Sequence, residues 1–536
     1  MKKLLCLVLI ASFILSLAGC AASSPNDNYP SNNNGGLQID GITSDDGGSW
    51  WNDLFGGTGG GKNESAPADP SIGMSPEEPD VDVEEPSDNT YFENPFVNTK
   101  DEPVSTFSAD VDTASYTYFR KLVQSGYNLS ELIATAGKSI RTEEMINYFN
   151  YNYDAPVEGE LFSKTVAMTK SPWNHNSYLL MVGIQAAEIQ EESKNNLVFL
   201  IDVSGSMGSS DKLPLLQRSF AHLVDNLDAD DTVSIVTYSG VESVVLEGCA
   251  GSKKEMILNA INSLSASGST NGESGLKKAY QIAESYFIPD GNNRIIMASD
   301  GDLNVGMSST SEIKEFISEK RNAGIFMSVL GFGTGNYKDS MMETIADCGN
   351  GVYYYIDSEL EAERVFGQEI CTTLYTIAKD VKMQLSFNPE YVESYRLIGY
   401  ENRVLNNEDF ENDTKDAGDL GSGHSVTVCY ELILNDAALA EHSDELMKLA
   451  IRYKDPDDFK SKLEEKTFTN DVYTETPNDN FVFIGCVIET AMVIHKSQYI
   501  QERTLNRVLD RLNKLNLNKD EYKQEFRNLI GKLTNH

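Results

Sequence analysis

Between about residue 195 and residue 376, short apolar runs alternate with stretches in which apolar residues recur every three or four positions. Runs rich in Val, Ile, Phe and Tyr favour strands, and the longer spacing favours amphipathic helices. The predicted strands are Leu197–Val203, Thr232–Tyr238, Arg294–Ser299, Ile325–Phe332 and Val352–Ile356, with Ser243–Leu246 as a short antiparallel edge strand. The predicted helices are Leu213–Leu227, Lys253–Leu264, Glu273–Tyr286, Ser311–Ala323, Lys338–Asp347 and Glu359–Thr376. Strands that are apolar on both faces and separated by helices indicate a doubly wound α/β domain with a mostly parallel sheet.

The segments on either side of this domain show a different pattern of apolar and polar residues. Residues 101–190 predict an α+β module with helices at Ala114–Ser125 and Thr142–Phe149 and two strands within Val166–Gln185. Residues 377–536 predict a β-rich and helical module. Its strands are Val381–Phe387, Val392–Gly399, Ser425–Leu434 and Leu446–Tyr453, and its helices are Phe481–Ser497, Arg503–Leu515 and Lys519–Lys532. The apolar stretch Phe481–Ile494 is shorter than the roughly 20 residues of a membrane span and contains Glu489, so we expect a buried helix.

The first 20 residues read as a secretory signal. A basic start, Met1–Lys3, precedes the apolar run Leu4–Leu17, and Leu17-Ala18-Gly19 leads directly to Cys20. The run is too short to cross a bilayer. The ending resembles a bacterial lipobox, which implies cleavage before Cys20, lipidation of that cysteine and an extracytoplasmic protein anchored to the cell membrane. A plain signal peptide cleaved nearby is the alternative.

Residues 21–100 are predicted to be a disordered, acidic tether, because Asn/Gly-rich and Pro/Glu/Asp-rich stretches bury too little apolar surface to fold. The formal net charge of the whole chain is −39, which argues against nucleic acid as a partner. Gly56 to Asn63 has the spacing of a phosphate loop, but Asn63 replaces the Ser or Thr that holds magnesium, so nucleotide binding is not expected.

The cysteines that follow Cys20 are widely spaced and odd in number: Cys249, Cys348, Cys371, Cys429 and Cys486. No Cys-x-x-Cys pair occurs among them. A disulfide framework or a zinc ribbon is therefore not expected, and most of these residues are predicted to be buried small hydrophobes.

Oxygen-bearing side chains follow the first strand of the central domain, in the run Asp202-Val203-Ser204-Gly205-Ser206. The carboxyl ends of strands in open α/β sheets are where ligands bind. As the chain leaves the strand, oxygens at alternate positions can converge, and Gly205 permits the tight curl. One carboxylate and two hydroxyls suit Mg²⁺ or Mn²⁺ better than zinc.

Two further loops of the same topology reach this edge. Gly268-Ser269-Thr270-Asn271-Gly272 precedes a predicted helix and offers the Thr270 hydroxyl, and the strand Arg294–Ser299 ends at Asp300. The candidate metal site is therefore Asp202, Ser204, Ser206, Thr270 and Asp300.

This set resembles the metal-ion-dependent adhesion site of von Willebrand factor type A (VWA) domains in order, spacing and strand context. The resemblance implies that Ser204, Ser206 and Thr270 bind the ion directly and that Asp202 and Asp300 act largely through bound waters. An open coordination position would then take a carboxylate from a partner.

The resemblance extends to YfbK-type bacterial VWA proteins over roughly residues 105–536. It rests on Phe107 to Tyr116, Arg141 to Phe149, Ser171-Pro172-Trp173-Asn174, Val182 to Gln185, Arg396 to Arg403, Asp416 to Asp419 and Gly423-His424.

Catalysis is not expected, because His-Glu-x-x-His and Gly-x-Ser-x-Gly are absent from the sequence and the histidines are scattered singly. Asp302 and Asn304 lack the calcium-loop pattern and are interpreted as loop residues, and Gly331 to Asn336 as a tight turn at the sheet edge. Asp110 and Asp112 are interpreted as capping residues of the helix that starts near Thr113.

The leading hypothesis is a surface-tethered protein that binds a protein or another carboxylate-bearing ligand through Mg²⁺ or Mn²⁺. One alternative is a structural envelope component whose metal clamps its own domains. The other is an accessory subunit of an enzyme or chaperone complex.

Overall fold

The computed structural model describes residues 92–188, 194–289, 291–301, 310–333, 339–369, 375–435, 438–439, 445–456, 458, 460–501, 504–517 and 520–534. The signal, Cys20, most of the tether, the phosphate-loop-like segment, Asp302, Asn304 and Cys371 lie outside these residues.

The central domain is the doubly wound α/β unit that the pattern predicts. Its strands are β5 (Asn195–Asp202), β6 (Thr232–Tyr238), β7 (Glu242–Ala250), β8 (Asn292–Ser299), β9 (Ile325–Phe332) and β10 (Tyr353–Ile356). Their order in the sheet is β10-β9-β8-β5-β6-β7, and all neighbours are parallel except β6 and β7. The antiparallel edge strand is confirmed, although it is longer than predicted.

Helices cover both faces of this sheet. They are α4 (Leu213–Asn226), α5 (Lys254–Asn262), α6 (Gly272–Ser285), α7 (Thr310–Asn322), α8 (Asp339–Cys348) and α9 (Glu359–Arg364). Leu197, Phe199 and Ile201 of β5 pack with α4 and α5, whereas Val198 and Leu200 pack with α6 and α7. Successive side chains of β5 therefore point into two different cores, one on each face of the sheet. For this reason both the odd-numbered and the even-numbered positions of β5 are apolar.

The flanking segments combine into shared sheets. The first segment supplies β1 (Val97–Asn98), β2 (Val104–Ser108), β3 (Phe162–Lys170) and β4 (Tyr178–Ala186). The last supplies β11 (Thr376–Phe387), β12 (Val392–Ile398), β13 (Gly418–Gly421), β14 (Ser425–Leu434), β15 (Glu445–Lys454) and β16 (Ser461–Thr469). One sheet has the order β1-β12-β14-β4-β3; in the other, β13-β11-β15-β16 are joined by β2, which pairs with β11. The two sheets enclose a common core.

A helical layer covers the outer face of the first of these sheets, and it too draws on both flanks. It contains α1 (Ala114–Gln124), α2 (Leu129–Ala136) and α3 (Thr142–Asn147), together with α10 (Asp479–His495), α11 (Asn506–Leu512) and α12 (Glu521–Thr534). The apolar α10 is the buried helix that the sequence predicts. Across the described ranges we find no helix both long enough and apolar enough to span a membrane.

Some local predictions were wrong. The helix predicted to run from Glu359 to Thr376 ends as α9 at Arg364, a π-helical turn follows at Val365–Glu369, and Thr376 begins β11. Asp110 and Asp112 do not cap α1: Thr113 is the N-cap without a side-chain cap bond, and the Ser115 N–H donates to Glu144 Oε2 at 2.8 Å. Cys249, Cys429 and Cys486 are buried and free, and Cys348 is half-buried and free.

A buried carboxyl group in α3 makes stability depend on pH. Burial, together with the nearby carboxylates of Glu401, Asp110 and Glu144, raises the pKa of Glu143 to about 8. Because the pKa in the folded state lies above that in the unfolded chain, the stability that the neutral group contributes is complete below about pH 4.5 and is lost as the pH rises towards 8.

We expect Glu143→Gln to flatten the fall in melting temperature between mildly acidic and alkaline pH. Glu158→Gln, on the exposed surface, is the control, and equal pH slopes in the wild type and Glu143→Gln would contradict this assignment.

Candidate metal site at the carboxyl edge of the sheet

The strand β5 delivers the first site residues to the carboxyl edge of the central sheet. Just beyond Asp202, the Val203 N–H still donates to the Tyr238 carbonyl at 3.0 Å, and the Ser204 N–H then turns back to Asp202 Oδ1 at 2.8 Å. The Oγ atoms of Ser204 and Ser206 lie 3.0 Å apart. Asp202 and Ser204 are buried, whereas Ser206 is exposed. The predicted convergence of alternate oxygens is therefore present.

The loop that carries Thr270 is held against this turn by its backbone. The Gly205 N–H donates to the Gly268 carbonyl at 3.0 Å, and the Ser267 N–H donates to the Val203 carbonyl at 2.7 Å. Gly268 has φ +84°, a conformation that favours glycine. Thr270 is half-buried two residues farther along. These bonds bring its loop beside Ser206, and its role as a ligand stays a prediction.

Asp300 reaches the same edge because β8 pairs with β5 in parallel. The Ser299 Oγ lies 3.4 Å from Asp202 Oδ2, which joins the ends of the two strands. Asp300 is only 5 % exposed. The structure thus assembles Asp202, Ser204, Ser206 and Asp300 at one edge from two parallel strands.

A cationic side chain that the sequence analysis missed lies in this site. Lys212 Nζ donates to the Ser206 carbonyl at 2.9 Å and to Asp300 Oδ2 at 2.7 Å. Its stem passes over Gly333, where an added Cβ would lie 2.2 Å from Lys212 Cε. Gly333 belongs to the glycine-rich segment interpreted as a turn, and its missing side chain leaves room for Lys212. Two oxygens of this edge therefore already contact a positive charge.

The electrostatics of the site favour a cation. Burial and the charge of Asp300 raise the pKa of Asp202 to about 6, although hydrogen bonds from Ser204 and Ser299 oppose this shift. Two nearby carboxylates in partly desolvated surroundings repel each other unless a positive charge lies between them. Within the described residues, no group of three or more His, Cys, Asp or Glu side chains has a metal-binding arrangement. The candidate site relies on hydroxyl oxygens for much of its donor set, as magnesium sites can.

A parallel sheet whose carboxyl edge gathers Asp202, Ser204, Ser206 and Asp300 defines a VWA domain, and residues 196–368 match the model of the von Willebrand factor type A domain. Residues 83–181 match a model described as von Willebrand factor, and residues 372–535 match the YfbK C-terminal model. The chain belongs to the YfbK family. It is 38 % identical over 442 residues to the uncharacterized protein YfbK of Escherichia coli K12, an alignment that covers 78 % of this chain and 76 % of that protein.

More distant similarity is confined to smaller parts or to the fold. Human inter-alpha-trypsin inhibitor heavy chain H3 is 28 % identical over 193 residues, which are 34 % of this chain and 21 % of that protein. A solved von Willebrand factor type A protein from Catenulispora acidiphila aligns with 68 % of this chain and 88 % of its own, with a TM-score of 0.40 and 15 % identity. VWA domains mediate protein interactions in related proteins and commonly bind Mg²⁺ or Mn²⁺ at such an edge; VWA and YfbK-type proteins are generally not enzymes.

Proposed function

We propose that this chain is a lipid-anchored, extracytoplasmic binding protein that captures a carboxylate-bearing partner, most simply another protein, through a divalent cation at the VWA domain. The observation that carries the proposal is the convergence of Asp202, Ser204, Ser206 and Asp300 at one edge of the sheet, where the ammonium group of Lys212 contacts Ser206 and Asp300. The proposal includes no catalytic step and no nucleic acid.

The donor set fits Mg²⁺ or Mn²⁺. Serine and threonine hydroxyls and carboxylates are hard oxygen ligands, and these ions prefer six of them. Asp202, Ser204, Ser206, Thr270 and Asp300 would hold the ion. Bound there, the ion would supply an electrophilic centre for a carboxylate oxygen of the partner. The exposure of Ser206 supports access from solvent.

The alternative, in which the metal clamps the chain's own flanking segments, requires a flanking carboxylate at the site. One contact joins the first flanking segment to the loop after β5, which carries Ser204 and Ser206. In this contact, Lys121 Nζ lies 3.4 Å from Asp211 Oδ2. An ammonium group cannot complete the coordination of a metal ion. This contact supplies no metal ligand, and the proposal therefore takes the carboxylate from another molecule.

The anchoring part of the proposal rests on the sequence Leu17-Ala18-Gly19-Cys20 and on the acidic tether that follows it. Mass spectrometry of the N-terminal peptide from native membranes would test it. A diacylated or triacylated Cys20 is expected, and an unmodified N-terminus at another residue would contradict it.

The binding part is tested by calorimetric titration of the chain with Mg²⁺ or Mn²⁺ alone, followed by capture of envelope proteins in Mg²⁺ and in chelator. We expect Ser204→Ala to weaken metal binding and to lose the captured partner, and Ser209→Ala to retain both. Ser209 is the matched control because it lies on the same loop and bonds to Asp211 instead of facing the site. Capture that is unchanged by chelator would refute the proposal.

Lys212 makes a separate prediction about metal affinity. Its ammonium bonds to two oxygens at the site, so a divalent ion must compete with it. Because Lys212→Met removes this competing charge and keeps the stem, we expect it to bind Mg²⁺ about tenfold more tightly, a difference of about 1.4 kcal/mol. Lys254→Met, at the start of α5, is the control. Weaker binding by Lys212→Met would show that Lys212 supports the metal-bound state.

A further inference from the structure

A cavity lies at the opposite edge of the central sheet from the metal site, between the VWA domain and the shared flanking sheets. Its volume is about 320 Å³, and its walls come from the start of β8, the loop after α8, the segment after β12 and the β13–β14 region. Arg294 in β8 faces this cavity, whereas Asp300 follows the other end of the same strand. Six residues of strand separate the two sites by roughly 20 Å. The cavity is thus distinct from the metal site.

Arg294 is a buried cation on which the charge of Asp419 acts, but without a direct ion pair between the two. It is 2 % exposed, its Nη1 donates to Ser328 Oγ at 2.9 Å, and its Nε has no hydrogen-bond partner. None of the salt bridges in the described part of the chain involves it. Burial lowers the pKa of Arg294 only to about 10, so the group is charged at neutral pH. A buried charge without a partner is costly, and a bound anion would offset that cost.

The carboxylates of the cavity wall are already engaged. Asp110, Asp112 and Asp347 surround Arg403, with distances of 3.3, 3.5 and 3.1 Å. Asp416 pairs with Arg321 at 2.8 Å. Asp419 accepts from the Asp380 N–H at 3.0 Å and from Asn350 Nδ2 at 3.1 Å. The wall therefore pairs four of its acids with Arg403 and Arg321 and holds Asp419 by neutral hydrogen bonds, so the described contacts give the Arg294 guanidinium no direct ion pair.

His424 lines the same cavity and supplies a second hydrogen-bond donor. The ring is 9 % exposed, and its Nδ1 accepts from the Gly421 N–H at 3.2 Å, which leaves the ring proton on Nε2. Burial lowers the pKa of His424; Glu369 opposes this shift, and the charge of Arg294 adds to it. Arg294 and His424 both line the cavity. Arg294 belongs to the VWA domain and His424 to the flanking sheet, so a ligand bound to both would bridge them.

We propose that this cavity binds a small carboxylate, held by the Arg294 guanidinium and the His424 Nε2–H. A guanidinium matches the two oxygens of a carboxylate, and a neutral imidazole adds a third donor. A singly charged group suits the site because a multiply charged anion would meet the surrounding aspartates. The proposal is independent of the metal site.

The direct test uses the full chain labelled with ¹⁵N-arginine, in chelator so that the metal site contributes nothing. The Nε–Hε signal that disappears in Arg294→Lys belongs to Arg294. We expect sodium acetate to shift this signal and sodium chloride of equal ionic strength to leave it in place. An unmoved signal would overturn the proposal, and a shift with phosphate but not with acetate would overturn the carboxylate assignment.

Thermal unfolding provides a second readout. Acetate should raise the melting temperature of the wild type above its value in chloride, because a ligand that binds the folded state stabilises it. The difference should vanish in Arg294→Met and persist in Lys415→Met, which removes an exposed cation of the same wall.

The variant also separates binding from a purely structural role. Without acetate, Arg294→Met should be at least as stable as the wild type, because it removes a buried charge that no direct ion pair compensates. A lower melting temperature for Arg294→Met in chloride would show instead that Arg294 is a structural residue, and the proposal would fail.

Discussion

Replacing Asp202 by alanine is expected to lower the affinity of the chain for Mg²⁺ by at least roughly 10- to 100-fold, the range for losing an oriented residue around a metal. Asp202 is fully buried, and its two carboxylate oxygens accept from the Ser204 N–H and contact Ser299 Oγ. Its removal deletes a negative charge and releases the turn that brings Ser204 and Ser206 together. Metal binding and Mg²⁺-dependent partner capture should fall together.

The comparison with Asp202→Asn separates charge from geometry. Asparagine retains an oxygen for the Ser204 N–H, so the turn should persist while the charge is lost. We expect Asp202→Asn to keep the wild-type melting temperature and still to bind Mg²⁺ weakly in calorimetric titration. Asp211→Asn changes a carboxylate of the same loop that is half-exposed and faces Ser209 and Lys121, and should bind Mg²⁺ normally. Full Mg²⁺ affinity in Asp202→Asn would remove Asp202 from the candidate site.

The second large effect is expected at Arg120, where the flanking helices meet the VWA domain. The guanidinium is fully buried and bonds to Asp357 at 2.5 and 2.9 Å, to Glu361 at 2.8 Å and to Glu525 at 3.1 Å. These partners lie after β10, in α9 and in α12. One side chain of α1 therefore links the last helix of the VWA domain to the C-terminal helices.

Arg120→Met should lower the free energy of unfolding by about 3–5 kcal/mol, because removing one member of a buried ion cluster leaves the other charges uncompensated. Denaturant unfolding, followed by circular dichroism, measures the change. Lys121→Met is the matched control on the same helix: its partly exposed pair with Asp211 should contribute about 0–1 kcal/mol. Equal effects of the two substitutions would show that the cluster does not hold the domains together.

The sequence pattern predicted the central domain well because each of its strands and helices is encoded by the residues of that element alone. Strands buried on both faces need continuous apolar runs, and each parallel connection needs a helix, so the order of elements follows from periodicity. The same reasoning placed Asp202, Ser204, Ser206 and Asp300 at one edge, since parallel strands end at the same side of a sheet. The positions of these four residues in the structure agree with that expectation.

Other elements were missed because their pattern is not local. The strand β16, with the sequence Ser-Lys-Leu-Glu-Glu-Lys-Thr-Phe-Thr, is an edge strand paired with β15, and most of its side chains are exposed. Charged residues protect such an edge but conceal the strand in a sequence pattern. The helix α2 was missed as well, although Asn128 and Glu131 form a capping box at its start.

The sequence by itself therefore determined the fold class of the central domain and the strand-end residues from which the candidate metal site is built. Only the tertiary structure decided that β4 and β14, more than 200 residues apart, pair in one sheet, and that Lys212 reaches Asp300. Only the folded chain could also reveal that Arg294 is buried without a direct ion pair and lines the same cavity as His424. The reason is physical: periodicity encodes which face of an element is buried, whereas strand pairing and side-chain contacts depend on where distant elements meet.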